Sequence, residues 1–390
     1  MGKNENEMLI PKTEFIGLEE MTHLCAGGES PTLKSHRTAV ERFFADKAMG
    51  EGSRERMDAT VSRCKQKVGV LLGVSPDNIA FISTSTEGIN LLAYGLKWRS
   101  GDNVVVCDVE FPSDVLPWTR LKEQGVEIRI VPNHNWFVSL SDIQQALDER
   151  TRVVAVSDVS YFTGQRLPLK ELSEMVHSHN ALLSLDSTHA AGVVPVQANY
   201  ADILVSSCYK WLLGTHGAAI LYWNRERLPD LDPPFLGWHS SESIPDWQSP
   251  TEFALRSGAD RFEAGNLGFI SIYILNNALE HILRIGIPAI ENHVRFLSGR
   301  VREGLHALGF ELMTPRDADQ RAGNICFMTP HINEIMAWLS ERKILVWGAY
   351  AGVGRVRVST HLYNSAKDVE RLLKALEELP PSLKSGGTNG

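Results

Sequence analysis

The sequence predicts an α/β fold, with a large domain built on a doubly wound, mostly parallel β-sheet and a smaller α+β C-terminal domain. Short β-rich runs alternate with helical patterns from about residue 70 to 225. Several of these runs are continuously apolar, as expected for strands that are covered on both faces. Beyond this region the alternation stops, and a long helical pattern, two short strands and a closing helix follow.

Each β/α unit is predicted from its own run. The strands are IAFIS (79–83), NVVVCD (103–108), VEIRIVP (126–132), RVVAVSDVS (152–160), ALLSLD (181–186), DILVSS (202–207) and AAILYW (218–223). The helices between them include TEGINLLAYGL (86–96), SDIQQALDER (141–150) and LKELSEMVHSHN (169–180). Residues 224–265 are richer in Pro, Trp and Ser, which predicts an irregular crossing.

The C-terminal part follows a different pattern. One long helical pattern covers 270–308, strands are predicted at NICFMT (324–329) and GRVRVS (354–359), and a helix closes the chain at 365–379. We therefore predict a large ligand-binding domain over 20–265, a small domain over 266–380 with residues 1–19 packed on it, and a disordered tail at 381–390.

Composition limits the classes of function. The chain has 390 residues and a formal net charge of −8, which argues against a nucleic-acid partner. Its apolar runs are too short to predict a membrane span. Its five cysteines lack the CxxC spacing of a zinc site and are odd in number, so we predict no disulfide framework and no metal. A reducing cytoplasm fits this cysteine content.

Polar residues at the carboxyl ends of parallel strands are the first candidates for a site, because ligands bind there in open sheets. The hydroxyls of Ser85 and Thr86 stand at a predicted helix start, where a phosphate is favoured. Phe111, Asp186 and Lys210 follow three further strands, and Lys210 comes 24 residues after Asp186, about one β/α step.

Each of these features alone has an ordinary explanation: a helix N-cap, a core aromatic, or a carboxylate satisfied by a helix start. Together they match the needs of pyridoxal 5′-phosphate. The phosphate takes a helix N-terminus, the protonated ring nitrogen takes a carboxylate, the ring face takes an aromatic and the aldehyde takes a lysine.

With these motifs the sequence resembles the class V aminotransferase family of fold-type I pyridoxal-phosphate enzymes, which includes cysteine desulfurases, selenocysteine lyases, isopenicillin epimerase-like proteins and kynureninases. The similarity runs from about residue 20 to 380 and includes TSTEGINLLAYGL, SLDSTHAAGVVPV, SSCYKWLLGTHGAAILYW, ADRFEAGNLG and GRVRVSTHLYN in the family's order.

The resemblance implies a role for each matching residue. Lys210 forms the Schiff base, Asp186 pairs with the pyridine nitrogen, and Phe111 faces the ring. The residues near the phenolic oxygen are His189 and Tyr161, and those near the phosphate are Ser85, Thr86, Ser207 and Tyr209. Trp238 borders the phosphate or the dimer interface, Asn266 reaches the neighbouring subunit's phosphate, and Arg357 binds the substrate carboxylate. It also implies a homodimer with shared active sites and an α-amino acid as substrate.

Departures from the desulfurase pattern favour a different outcome. Desulfurases carry a persulfide-forming cysteine just before the carboxylate-binding arginine, but ILVWGAYAGVGRVRVS (344–359) contains none. Phe111 and Tyr161 replace the desulfurases' histidine and asparagine. We therefore predict a lyase that eliminates at Cβ or cleaves the side chain, either a carbon–sulfur lyase or a kynureninase-like enzyme.

Aminotransferase and epimerase chemistry remain open, as does a non-catalytic binding module on the same fold. Trp347 and Tyr350 either line the substrate pocket or pack in the core.

Overall fold

The computed structural model describes residues 7–348 and 354–384. Its strands are β1 Thr22–His23, β2 Ile79–Ile82, β3 Asn103–Cys107, β4 Glu127–Val131, β5 Thr151–Ser157, β6 Leu182–Asp186, β7 Ile203–Ser207, β8 Ala219–Trp223, β9 Glu311–Leu312, β10 Asn324–Met328, β11 Ile344–Leu345 and β12 Arg355–Ser359. Its α-helices are α1 His36–Lys47, α2 Ser53–Leu72, α3 Ser85–Gly95, α4 Pro112–Thr119, α5 Leu140–Gln145, α6 Leu169–Ser178, α7 Phe269–Ile285, α8 Ile287–Ala307, α9 Ile332–Glu341, α10 Ala366–Glu377 and α11 Pro381–Lys384.

The central sheet has seven strands in the order β2-β8-β7-β6-β5-β3-β4. β8 runs antiparallel to β2 and β7, and the other neighbouring pairs are parallel. The predicted strand runs form these seven strands, with ends that differ by three residues at most. The mostly parallel α/β sheet is therefore confirmed.

Alternate residues of the sheet enter two separate hydrophobic cores. Val105 and Val154 belong to the core on one face, whereas Val104 and Val153 belong to the core on the other. All four side chains are fully buried. Because both faces are covered, the strands read as continuous apolar runs, and the doubly wound arrangement is confirmed.

A smaller α+β lobe follows. Its antiparallel sheet has the order β12-β10-β9, and a third core joins these strands to α8, α9 and α10. The N-terminal segment adds to it: Leu24 enters this core, β1 pairs with β11, and the amides of Leu9 and Ile10 donate to the carbonyl of Leu362.

The predicted long helix at 270–308 is two helices. The chain breaks at Gly286, whose φ of +86° is in the left-handed half of the map, and Pro288 follows in the first turn of α8. α7 packs its buried residues into the large core, so the domain division at residue 266 stays a prediction.

Two other stretches bear on the predictions from sequence. Residues 224–265 form only short 3₁₀ turns, as predicted. Within the predicted disordered tail, Pro381–Lys384 form a short helix and 385–390 lie outside the described residues, so disorder of the tail stays a prediction. Within the described ranges, no helix is both long and apolar enough to cross a membrane.

Candidate functional site

A cavity of about 210 Å³ opens at the carboxyl ends of the parallel strands. Its lining includes nine of the twelve predicted site residues: Ser85, Thr86, Phe111, Tyr161, Asp186, His189, Ser207, Tyr209 and Lys210. They come from segments that follow β2, β3, β5, β6 and β7. The parallel sheet brings these segments together because the strands end at the same edge.

The start of α3 forms one wall of the cavity. Thr84 caps this helix, because its hydroxyl accepts a hydrogen bond from the amide of Glu87. The hydroxyls of Ser85 and Ser207 are 2.9 Å apart, and the Thr86 hydroxyl donates to that of Ser113 at 2.8 Å. The start of α3 therefore has both an ordinary N-cap and a row of hydroxyl groups. Hydroxyl groups at a helix N-terminus can bind an anion.

Lys210 follows β7 and is 9% exposed. Its Nζ lies 5.6 Å from the ring centroid of Phe111 and 3.3 Å from Nε2 of His189. Burial and, after it, the charge of Arg357 lower the pKa of Lys210 to about 8, against the opposing charge of Asp186. At pH 7 about a tenth of the molecules therefore carry a neutral amine, a far larger fraction than for an exposed lysine.

Asp186 ends β6, with its carboxylate accepting the amide of Thr188 at 2.7 Å. Burial raises the pKa of Asp186, while the hydrogen bond from Thr188 and the charge of Lys210 oppose the rise. A buried carboxylate of this kind is stabilised when a cation comes to face it.

The sequence analysis assigned no role to three further buried carboxyls around Asp186. Burial raises the pKa of Asp114 well above its usual value and raises those of Glu110 and Asp158 to about 7. Glu110 accepts hydrogen bonds from the amide and hydroxyl of Ser157. Glu110 bonds to Ser157, and Asp114 and Asp158 interact with Asp186, so these acidic residues converge on side chains that line the cavity. A sequence motif alone cannot show this convergence.

His189 is held by two residues that sequence reasoning missed. Its Nδ1 lies 3.3 Å from Nε1 of Trp211 and 3.0 Å from Nδ2 of Asn324. Burial lowers the pKa of His189 well below its usual value, so the ring is neutral. Asn324 lies on β10 of the smaller lobe, 135 residues along the chain, and no local pattern connects it with His189.

Arg357 is not among the described residues that line the cavity. It is 3% exposed on β12, and its Nη1 donates to the carbonyl of Tyr161 at 2.9 Å. Burial lowers the pKa of Arg357 to about 10, still well above neutral, and its charge lowers the pKa values of Lys210 and His189. Trp347 pairs with Arg357 through the backbone, and Tyr350 lies outside the described residues.

Asn266 and Trp238 also lie off this cavity. Asn266 lines a neighbouring pocket that shares Ser83 and Gly217 with it, and its Oδ1 accepts a hydrogen bond from Arg54. The guanidinium of Arg54 stands 5.8 Å from the ring centroid of Trp238, whose side chain is 46% exposed. The two predicted residues therefore lie on the surface.

The donor set fits pyridoxal 5′-phosphate. Hydroxyls at the start of α3, the Phe111 ring, the Asp186 carboxylate and the Lys210 amine face one cavity, which is the combination this cofactor requires. In the part of the chain that the structure describes, no group of three His, Cys, Asp or Glu side chains is placed to hold a metal.

The family profile described as aminotransferase class-V matches residues 36–372. The chain belongs to this family. A probable cysteine desulfurase of Pyrococcus abyssi is 32% identical over 79% of this chain and 80% of that protein. A probable cysteine desulfurase of Methanothermobacter thermautotrophicus is 29% identical over 95% of the chain and 99% of its own length.

Solved structures agree on the fold. The apo structure of a cysteine desulfurase from Thermococcus onnurineus NA1 has a TM-score of 0.85 and 25% identity, with 94% of this chain and 96% of that chain covered. The cystine C-S lyase C-DES, solved with its product cysteine persulfide, has a TM-score of 0.86 and 22% identity, with 94% and 100% covered. The class V aminotransferase is thus a fold-type I enzyme with pyridoxal 5′-phosphate as cofactor.

Proposed function

We propose that the enzyme is a carbon–sulfur lyase that cleaves an α-amino acid bearing sulfur on Cβ and releases the sulfur product to solution. Removal of the Cα proton and departure of the sulfur group, with its electron pair, leave an unsaturated amino acid. Water converts this product to pyruvate and ammonia. In contrast to a desulfurase, this reaction needs no protein thiol to accept sulfur.

The state of the cysteines carries this proposal. All five lie within the described residues and are buried as free thiols, and the most exposed, Cys25, is only 8% exposed. Burial raises the pKa of Cys25 to about 12, and it also raises the pKa values of Cys64, Cys107, Cys208 and Cys326. A sulfur acceptor must be an accessible thiolate, and these thiols are neither accessible nor ionised near neutral pH.

The side chains of the cavity would hold the cofactor by its separate groups. Ser85, Thr86, Ser207 and Tyr209 would hold the phosphate; they line one cavity, and the hydroxyls of Ser85 and Ser207 are 2.9 Å apart at the start of α3. Asp186 takes the protonated ring nitrogen, and its ionised form is then stabilised.

Phe111 would cover a face of the ring, and His189 and Tyr161 would contact the phenolic oxygen; all three line the cavity.

When bound, pyridoxal phosphate supplies an electron sink for the charge left at Cα. Lys210 removes the Cα proton with its Nζ, and burial sets its pKa near the range useful for a base. Arg357 holds the substrate carboxylate and so fixes which Cα bond faces Lys210.

We further propose a homodimer in which Asn266 and Trp238 face the partner's cofactor site. Exposed apolar side chains surround them in the sequence: Phe235, Leu236, Ile244, Trp247 and Ile270 are each at least 36% exposed. Such a surface is typical of a covered interface. Light scattering of the purified protein measures the mass, and a monomer with full activity would contradict this part of the proposal.

The reaction is tested by supplying L-cysteine, L-cystine and S-alkyl cysteines and measuring pyruvate, ammonia, alanine and sulfide. We expect equimolar pyruvate and ammonia without an added keto acid. Alanine with transferable sulfur would identify a desulfurase. A 2-keto acid that keeps the Cβ sulfur, formed only with an added keto acid and without ammonia, would identify an aminotransferase, and exchange at Cα without cleavage an epimerase. Lys210→Ala is the control, because it keeps the cavity but lacks the base.

A further inference from the structure

A buried hydrogen-bonded chain leads from the smaller lobe to Lys210. Ser359 on β12 donates its hydroxyl to Oδ1 of Asn324 at 2.8 Å, and Nδ2 of Asn324 lies 3.0 Å from Nδ1 of His189. On the opposite side of the imidazole, Nε2 lies 3.3 Å from Nζ of Lys210. Ser359 and Asn324 are fully buried and face each other in the register of the antiparallel pair.

Trp211 decides the polarity of this chain. Its indole N–H donates to Nδ1 of His189 at 3.3 Å, and an indole nitrogen cannot accept. The Ser359 hydroxyl donates to the oxygen of the Asn324 amide, which turns the amide nitrogen toward the same Nδ1. Nδ1 therefore receives two N–H donors and must be the unprotonated nitrogen of the ring.

We propose that Asn324 and Trp211 are positioning residues that fix His189 with its proton on Nε2, so that His189 donates a hydrogen bond to the amine of Lys210. Only the neutral amine of Lys210 can accept this hydrogen bond, so the arrangement favours the neutral form. Burial supports the assignment, because it disfavours the charged form of the His189 ring and the charged form of the Lys210 amine. The charged groups that also act on Lys210 are Arg357, Asp186, Asp114 and Glu29.

The surrounding backbone leaves little freedom for another arrangement. A Cβ on Gly27 would lie 2.7 Å from both Oδ1 of Asn324 and the hydroxyl of Ser359. The backbone at Gly27 therefore covers the hydrogen-bonded side chains that run from β12 to His189, and only glycine fits at this position. Asn324 is therefore fully buried, and among the described residues the side chain that it contacts in the larger lobe is His189.

The role given to Lys210 rests on the proposed function, but the tautomer of His189 does not. The full-length protein, labelled with ¹⁵N-histidine, is examined by long-range ¹H–¹⁵N correlation with and without pyridoxal phosphate. The resonances of His189 are identified by their loss in His189→Gln. We expect a protonated Nε2 and an unprotonated Nδ1 between pH 6.5 and 8. A protonated Nδ1, or protons on both nitrogens, would overturn the proposal.

Asn324→Asp reverses the polarity without changing the shape. A carboxylate accepts only, so it should draw a proton to Nδ1, and it should raise the apparent pKa for capture of pyridoxal phosphate by Lys210 by about 1 unit. Capture at pH 7 would then slow about tenfold. Asn276→Asp, a buried change on α7, is the matched control and should leave both readings unchanged.

An unchanged ring spectrum in a folded Asn324→Asp protein would refute the role of Asn324. If that variant does not fold, the spectrum of the unmodified protein decides alone. If the protein shows the predicted tautomer but forms no pyruvate, the positioning proposal stands and the lyase proposal fails.

Discussion

Glu110 gives a quantitative prediction about stability. The residue is 8% exposed, and its carboxyl accepts the amide of Ser157, which lines the cavity, at 3.0 Å together with the Ser157 hydroxyl. Burial, with the charge of Asp186, raises the pKa of Glu110 from 4.5 to about 7 against the two opposing hydrogen bonds from Ser157. Glu110→Gln removes the titration and leaves an amide that can still pair with Ser157.

The magnitude follows from proton linkage. Below pH 4.5 Glu110 is protonated in both folded and unfolded chains, so its contribution to stability is fully present. As the pH rises from 4.5 to 7 the unfolded chain loses this proton and the folded chain keeps it. Stability therefore falls by about 1.4 kcal/mol per pH unit, and by about 3 kcal/mol in total once the pH has passed 7.

The free energy of unfolding of Glu110→Gln should lack this loss, so the variant gains up to about 3 kcal/mol over the unmodified protein between pH 4.5 and 8. Urea unfolding of the cofactor-free protein, followed by tryptophan fluorescence at several pH values, measures the difference. Glu149→Gln, an exposed change, is the control. A difference that stays constant within about 0.5 kcal/mol, or that has the opposite sign, would refute the raised pKa.

Three further results are expected. The rate at which the cofactor-free protein captures pyridoxal phosphate should rise with pH through about 8, because the neutral amine of Lys210 reacts. Absorbance follows the capture, and a midpoint near 10.5 would contradict the effect of burial on the pKa of Lys210. Arg357→Ala should weaken amino-acid binding about 10- to 100-fold in a spectral titration and leave borohydride-fixed cofactor on Lys210 unchanged, since it removes a charged hydrogen bond. Lys65→Met should lower the free energy of unfolding by about 3 kcal/mol, because it removes the cation that pairs with the buried carboxylate of Glu263. The two side chains are 2.8 Å apart, and that of Glu263 is 2% exposed. Lys65→Met combined with Glu263→Gln should recover part of the lost free energy of unfolding.

The sequence allowed the large sheet and most of the cavity to be predicted, for a physical reason. Runs such as 103–107 and 203–207 are buried on both faces, so their composition alone marks them as parallel strands. Residues at the ends of such strands, including Asp186 and Lys210, then fall at one edge. This geometry does not depend on the details of the loops.

Contacts between distant segments could not be predicted in this way. Asn324 reaches His189 from the other lobe, and Asp114 reaches the Asp186 carboxyl from α4, although neither belongs to a motif with a fixed spacing. The break at Gly286 was missed because apolar residues continue with helical spacing on both sides of it. Periodicity reports which face is buried, and it does not report where the helix axis turns.

Burial disfavours the charged forms of several side chains around the cavity. His189 is uncharged, the pKa of Lys210 is lowered to about 8, and burial raises the pKa values of Asp114 and Asp186. In the arrangement that we propose, the cofactor would bring a cationic ring nitrogen to Asp186 and an anionic phosphate to the start of α3. The ring cation would stabilise the ionised form of Asp186, so ionisation of Asp186 and cofactor binding would stabilise each other.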